Sequence, residues 1–221
     1  MTLLKHNKYM KLALKEAAKA LELGEFPVGC VIVFNGKVVA SGSRLGTASP
    51  EKRPSEIDHA EIRALKSLEE NINHHKNINH HNGKNMNHHD GSDNGRDMCI
   101  DNGSNIDREI INIIPEECII YCTMEPCLMC FGAIILSGIK QIFYAFEDPM
   151  GGGTSCNLGE LPILYRESGI KVVPYLFREE SLKFFAQFFS RKNNFYWKNS
   201  FLEQYTLKEA NYIIQASETD N

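Results

Sequence analysis

Apolar and polar positions divide this chain into short elements of alternating type. Met10, Ala13, Leu14, Ala17 and Leu21 recur at helical spacing with lysines and Glu16 between them, which predicts an amphipathic helix stopped near Gly24. Residues 28–34 and 37–43 are two β-type runs joined by Asn35-Gly36. Both joining positions tolerate positive φ, so the pair predicts a hairpin. After a loop over 46–54, Ser55 or Asp58 is placed to cap a helix that carries His59 and Glu61 and runs to about residue 70. Residues 117–121 read as a buried strand, and Pro126 opens a helix that runs to about residue 136. Strands over 141–146 and 170–176 and a helix over 179–190 complete the pattern. The order is βαβαβ after an initial hairpin, which predicts an α/β fold with helices on both faces of a mixed sheet.

Residues 71–109 break this pattern. They are rich in Asn, His, Asp and Gly with almost nothing to bury, and are expected to be a low-complexity, disordered insertion. Such an insertion grows at small cost where a surface loop joins a helix to a strand. The expected organisation is therefore one domain over 1–192, interrupted by 71–109, with a C-terminal extension over 193–221. A length of 221 residues and a hydrophobic fraction of 43% suit one domain with a sizeable core.

Charge and cysteine content narrow the setting. Twenty-four basic against 28 acidic side chains leave a net charge of −4, which gives no overall attraction to nucleic acid or to an anionic membrane. Lys5, Lys8, Lys11, Lys15 and Lys19 interrupt the N-terminal stretch, which reads as neither signal peptide nor membrane span. Seven cysteines, an odd number, without an export signal point to reduced thiols and a cytoplasmic location.

Candidate chemistry lies in His59-Ala60-Glu61 and Pro126-Cys127-Leu128-Met129-Cys130. One imidazole and two thiolates fill three corners of a tetrahedral zinc site and leave the fourth open to water, whose pKa zinc lowers to about 7. Cys127 and Cys130, three apart in a first helical turn, share a face where the helix dipole favours thiolate. Glu61, two residues from His59, is placed to move protons between water, ring nitrogen and leaving amine. His59 and Glu61 do not face each other along a helix, so the pair works only at a helix end pointing into a pocket. A purely structural ion would instead need a fourth protein ligand, with Cys118, Cys122 or Cys156 available. Cys30, Cys118 and Cys122 also read as core thiols, and Cys99 falls in the insertion. The pairs His74-His75, His80-His81 and His88-His89 are either a weak metal-collecting tract or low-complexity drift. Gly151 to Gly153 precede no phosphate-loop lysine and read as a turn. The aromatics Phe184, Phe185, Phe188, Phe189, Phe195, Tyr196, Trp197, Phe201 and Tyr205, with interleaved Arg178, Lys183, Arg191, Lys192 and Lys198, form either a stacking and phosphate surface or packing onto the core or a partner.

The pairing of H-x-E with P-C-x-x-C is the signature of zinc nucleobase deaminases, and the chain resembles the cytidine deaminase-like superfamily, most closely its bacterial tRNA adenosine deaminases. The matching stretches are Glu25-Phe26-Pro27-Val28-Gly29-Cys30-Val31, His59-Ala60-Glu61-Ile62, and Thr123 to Cys130 continuing into Gly132-Ala133-Ile134, with weaker likeness over 144–155 and 182–191. The resemblance covers roughly residues 5–192, without the insertion. It implies a three-layer α/β/α sandwich around a five-stranded mixed sheet, one zinc ion per subunit held by His59, Cys127 and Cys130, and Glu61 as catalytic acid and base. It also implies a homodimer and a substrate side formed by Pro27, Val28, Arg44, Ala60, Glu125 and Pro126. Arg44 stands where the family usually carries an asparagine that hydrogen-bonds the base. A guanidinium only donates, and suits a phosphate or carboxylate. The implied function is hydrolytic deamination of adenosine to inosine at the tRNA wobble position. The alternatives are a deaminase of a free base, nucleoside or nucleotide of cytosine or guanine type, and a zinc-stabilised binding module without catalysis. The implied partners are tRNA or a small nucleobase substrate, and no membrane.

Overall fold

The computed structural model describes residues 3–82 and 112–219. The N-terminal stripe forms α1 (Leu3–Glu22), and the two β-type runs form β1 (Gly29–Phe34) and β2 (Lys37–Ser43). At the hairpin Asn35 has φ 48° and Gly36 φ 78°, the paired left-handed conformation that this dipeptide permits. The remaining strands are β3 (Ile119–Met124), β4 (Gln141–Phe146) and β5 (Lys171–Val173). The sheet order is β2-β1-β3-β4-β5. β1 pairs antiparallel with β2 and β3, whereas β3–β4 and β4–β5 are parallel, giving the expected mixed five-stranded sheet.

Alternate residues of each strand supply two cores. Val31, Val33, Tyr121 and Phe143 pack beneath α1 against Tyr9, Met10, Ala13 and Leu14. Cys30, Ile32, Ile120 and Ile142 face the other way, in one cluster with residues of α2 (Ala60–Asn82) and α3 (Leu128–Leu136). The short α4 (Ile163–Arg166) precedes β5, and α5 (Arg178–Phe189) packs beside α1 and against β3 and β4. No helix among the described residues is long and apolar enough to cross a membrane.

Three expectations need correction. Helix α2 does not end near residue 70 but runs to Asn82, inside the segment read as an insertion. Tertiary anchoring outweighs the weak helix propensity of Asn and His: Asn71 Nδ2 donates to the Val39 carbonyl at 2.8 Å, and Ile72 packs on the core. No glycine or proline interrupts the chain between Pro54 and Gly83. The rest of the expected insertion, with Cys99 and His88-His89, lies outside the described residues. Second, Ser55 and Asp58 bond each other one turn upstream, and the His59 carbonyl accepts from Arg63 at 3.0 Å as α2 starts. Third, Pro126 lies ahead of α3, with Cys127 at its N-cap.

Within the segment expected as an extension lies α6 (Phe201–Thr219), an element the periodicity did not reveal. Its helix packs on α5, and Tyr196 and Leu202 join the main core. The aromatic run therefore packs largely onto the core of its own chain, with Phe185, Phe188 and Phe189 also buried.

Candidate metal centre and active site

Helices α2 and α3 begin beside each other, and their first turns bring together residues far apart in sequence. The Cys127 and Cys130 sulfurs lie 3.6 and 3.4 Å from His59 Nδ1. Zn–S bonds of about 2.3 Å and Zn–N bonds of about 2.0–2.1 Å at a tetrahedral angle separate S from N by about 3.6 Å. The trio therefore fits a zinc ion with little movement. All three ligand atoms lie within 4.8 Å of one another, and among the described residues no fourth ligand joins them. Cys122 instead faces Cys30 at 3.8 Å in the core, and Cys118 donates to the Ile114 carbonyl. The donor set leaves a fourth position open, as a site that activates water requires and a closed structural site does not.

The same geometry tunes the thiols. The hydrogen bond from Cys130, with help from His59, lowers Cys127 to about 4. The Cys130 thiol is pushed up by that shared proton and by burial. A dication bound by both sulfurs takes them as thiolates and displaces the protons they carry. Cys127 also occupies the N-cap of α3, where partial positive charge favours a thiolate.

Glu61, in the first turn of α2, is 2% exposed, and its Oε2 has no hydrogen-bond partner among the described residues. Burial raises its pKa, outweighing the opposing pull of His59. It lines a cavity of about 320 Å³ with His59, Cys127, Ala60 and Val28. Phe26, Met124 and Leu202 supply further apolar wall, and Arg44, Glu56, Glu125 and Asp148 the remaining polar edge. Pro27 and Pro126 are buried next to wall residues and are not part of the lining.

Two networks hold the walls in place. The Glu25 carboxylate accepts from Thr47 N and Oγ1, and Thr47 Oγ1 accepts from Phe26 N at 2.8 Å, which fixes the turn leading into Val28. The Glu125 carboxylate accepts from Thr154 N and Oγ1 and from Asp148 N, so it clamps the loop over 148–154 against the cavity. Gly152 and Gly153 allow that approach: a Cβ on Gly153 would lie 2.6 Å from Leu128 N and 2.9 Å from the Cys127 carbonyl carbon.

Arg44 is 2% exposed and makes contacts within the chain. Its Nη2 donates to the Ser55 carbonyl at 2.5 Å and to Tyr196 Oη at 3.0 Å, and lies 3.6 Å from Glu56. Its buried Nη1 has no partner among the described residues. Tyr196, Trp197 and Leu202, all from the C-terminal extension, also line the cavity. The sequence pattern did not place them there, although an arginine at a strand end and a tyrosine-tryptophan pair in an aromatic tail were both legible.

A sequence model of the cytidine and deoxycytidylate deaminase zinc-binding region matches residues 4–146. A tRNA-specific adenosine deaminase of Bacillus subtilis (strain 168) is 31% identical over 152 residues, 68% of this chain and 68% of that one. A protein of the same name from Aquifex aeolicus (strain VF5) is 26% identical over 188 residues, 84% of this chain and 95% of that one. Among solved structures, a guanine deaminase from Nitrosomonas europaea shares the fold with a TM-score of 0.52 at 16% identity, over 82% of this chain and 83% of that one.

Proposed function

Because the chain belongs to the family of cytidine and deoxycytidylate deaminase zinc-binding domains, we propose that it deaminates a nucleobase hydrolytically, converting adenosine to inosine at the wobble position of tRNA. The observation that carries this reading is the unpartnered Glu61 Oε2, buried in one cavity with His59 and Cys127. Zinc, held by His59, Cys127 and Cys130, would supply the Lewis acidity that makes water a nucleophile near neutral pH. Glu61 accepts one proton of the attacking water at Oε2 and passes it to the ring nitrogen. It then takes the second proton from the hydroxyl added to the ring carbon and passes it to the amine, which leaves as ammonia as the carbonyl forms. Its raised affinity for a proton suits it to both steps. Val28, Ala60 and the apolar wall exclude water from the base, and Arg44 at the polar edge offers donors to the substrate. Pro27, Glu125 and Pro126 shape the turns from which that wall is built.

The choice of tRNA adenosine rests on the relatives that carry that name. A target base in a folded RNA must leave its stack to enter such a cavity, as bases in single-stranded loops readily do. The second reading, a free nucleobase or nucleotide, is supported by the net charge of −4 and the guanidinium at the pocket. The catalytic domain is read as 1–192, interrupted within 71–109 and extended by 193–221, in a reducing cytoplasm. Exposed Leu128, Met129 and Leu136 on α3 and Ile163 and Leu164 on α4 support a homodimer that covers them.

Nucleoside mass spectrometry of unmodified tRNA bearing a wobble adenosine, after incubation with the protein, tests the reading. Inosine is expected with the intact protein and not with Glu61→Ala. Absence of inosine from zinc-loaded protein would transfer the assignment to a small substrate.

A further inference from the structure

Trp197 is the chain's one tryptophan and lines the cavity together with Glu61 and His59. It is also 42% exposed, so it stands at the mouth, where the cavity meets solvent, with its ring edge-to-face against Tyr196 at 5.7 Å. The segment that carries it is firmly held. Tyr196, immediately before, is buried, accepts from Arg44 Nη2 and donates to Glu56 at 3.3 Å. Leu202, just after, is buried in the main core.

Between these anchors the backbone adopts conformations that side-chain-bearing residues rarely take. Trp197 has φ 54° and Asn199 φ 61°. The turn is closed by Ser200 N donating to the Trp197 carbonyl at 3.1 Å and by Asn199 N donating to the Glu203 carboxylate. Strain of this kind persists only where the surroundings over-determine it, and it clusters at ligand sites. An indole held this way at a cavity mouth loses little freedom when a flat ring lies against it.

We propose that Trp197 is a stacking platform for RNA, carrying the nucleobase adjacent in the strand to the one that enters the cavity. The inference rests on the nucleobase-deaminase reading above. A strand whose one base fills the cavity continues past the mouth, where the exposed Trp197 ring is the aromatic surface a neighbouring base would meet. Every base offers a π-face, which makes such stacking tolerant of sequence. Lys198, next in the chain and exposed, puts a cation beside the platform, where a backbone phosphate follows the stacked base.

As the only tryptophan, Trp197 is its own reporter. Zinc-loaded, full-length Glu61→Ala, which cannot turn over, is titrated with an RNA hairpin carrying adenosine at the first anticodon position. Tryptophan emission is read alongside the anisotropy of a labelled copy of the hairpin. Saturable quenching is expected over the same concentrations as binding, reduced when the nucleotides flanking the adenosine are abasic, and absent with free adenosine. In the active protein Trp197→Ala is expected to raise KM for the hairpin roughly tenfold or more while changing kcat far less, and Trp197→Phe to restore most of the loss. Binding without quenching, equal quenching by free adenosine, or an unchanged KM in Trp197→Ala would each overturn the platform alone. No binding of the hairpin in anisotropy would overturn the platform together with the tRNA reading.

Discussion

Glu61 and Gly153 define what single side chains contribute at the site. A carboxylate buried with an unpartnered oxygen weakens the fold, because it forgoes its hydration. Replacing it by the neutral isostere Glu61→Gln should therefore leave the unfolding midpoint at or above that of the parent. The zinc content should stay at one per chain while kcat falls by about 10²–10⁴-fold, the usual worth of a positioned acid–base group. Midpoint, metal analysis and kcat measured on one preparation check all three, and a lost zinc would show that Glu61 acts through the metal ligands instead. Gly153 lies against Cys127 and Leu128 with no room for a methyl group. Gly153→Ala should displace the start of α3 and weaken zinc affinity by about 10–100-fold, the range seen when groups that orient a ligand are disturbed. Competition with a chromophoric chelator measures it.

At the scale of elements, the docking of α6 depends on a charged knot. Arg178 of α5 donates to Glu147 at the end of β4 and to Glu209 of α6 at 2.9 Å, and Tyr205 of α6 donates to Glu147 at 2.7 Å. Burial pushes the Glu147 carboxyl up, but Arg178 and Tyr205 outweigh it and hold the group below the usual carboxylate range. A carboxyl depressed on folding adds stability above its unfolded pKa of about 4.3 and loses it as pH falls through the folded value. Glu147→Gln should accordingly cost about 1–3 kcal/mol near neutrality. That difference should shrink as pH drops below about 4, as urea titrations of both proteins across pH would reveal. Where an element's signal is local, the sequence disclosed it. The hairpin follows from Asn35-Gly36, and β4 occupies 141–146 as its apolar run predicts. The ligand trio was legible from H-x-E and C-x-x-C spacing because each half is fixed within one helical turn. The Arg44–Tyr196 contact was not, because 152 positions separate the partners and nothing local distinguishes that tyrosine from its aromatic neighbours. Helix α2 overran its expected end for a similar reason, since the bond from Asn71 to Val39 is tertiary.

For the whole molecule, the metal centre is also a fastening. His59 and Cys127 are 68 positions apart and stand just ahead of two different helices, both packed on one face of the sheet. The unfolded chain cannot present that trio, so zinc binds the native state almost alone and stabilises it by RT ln(1 + [Zn]/Kd), about 4 kcal/mol when free zinc is a thousandfold above Kd. In a domain of this size each kcal/mol moves Tm by about 2–4 °C, which predicts that chelation lowers Tm by roughly 8–16 °C. The drop should deepen with the zinc concentration of the reference sample, because the linkage is logarithmic in free metal. Cys130→Ala, lacking a ligand, should melt at the same temperature with and without chelator. Calorimetric scans of both proteins decide the matter. A parent whose Tm ignores chelator would mean that α2 and α3 are held together by the core alone and that the ion contributes only chemistry.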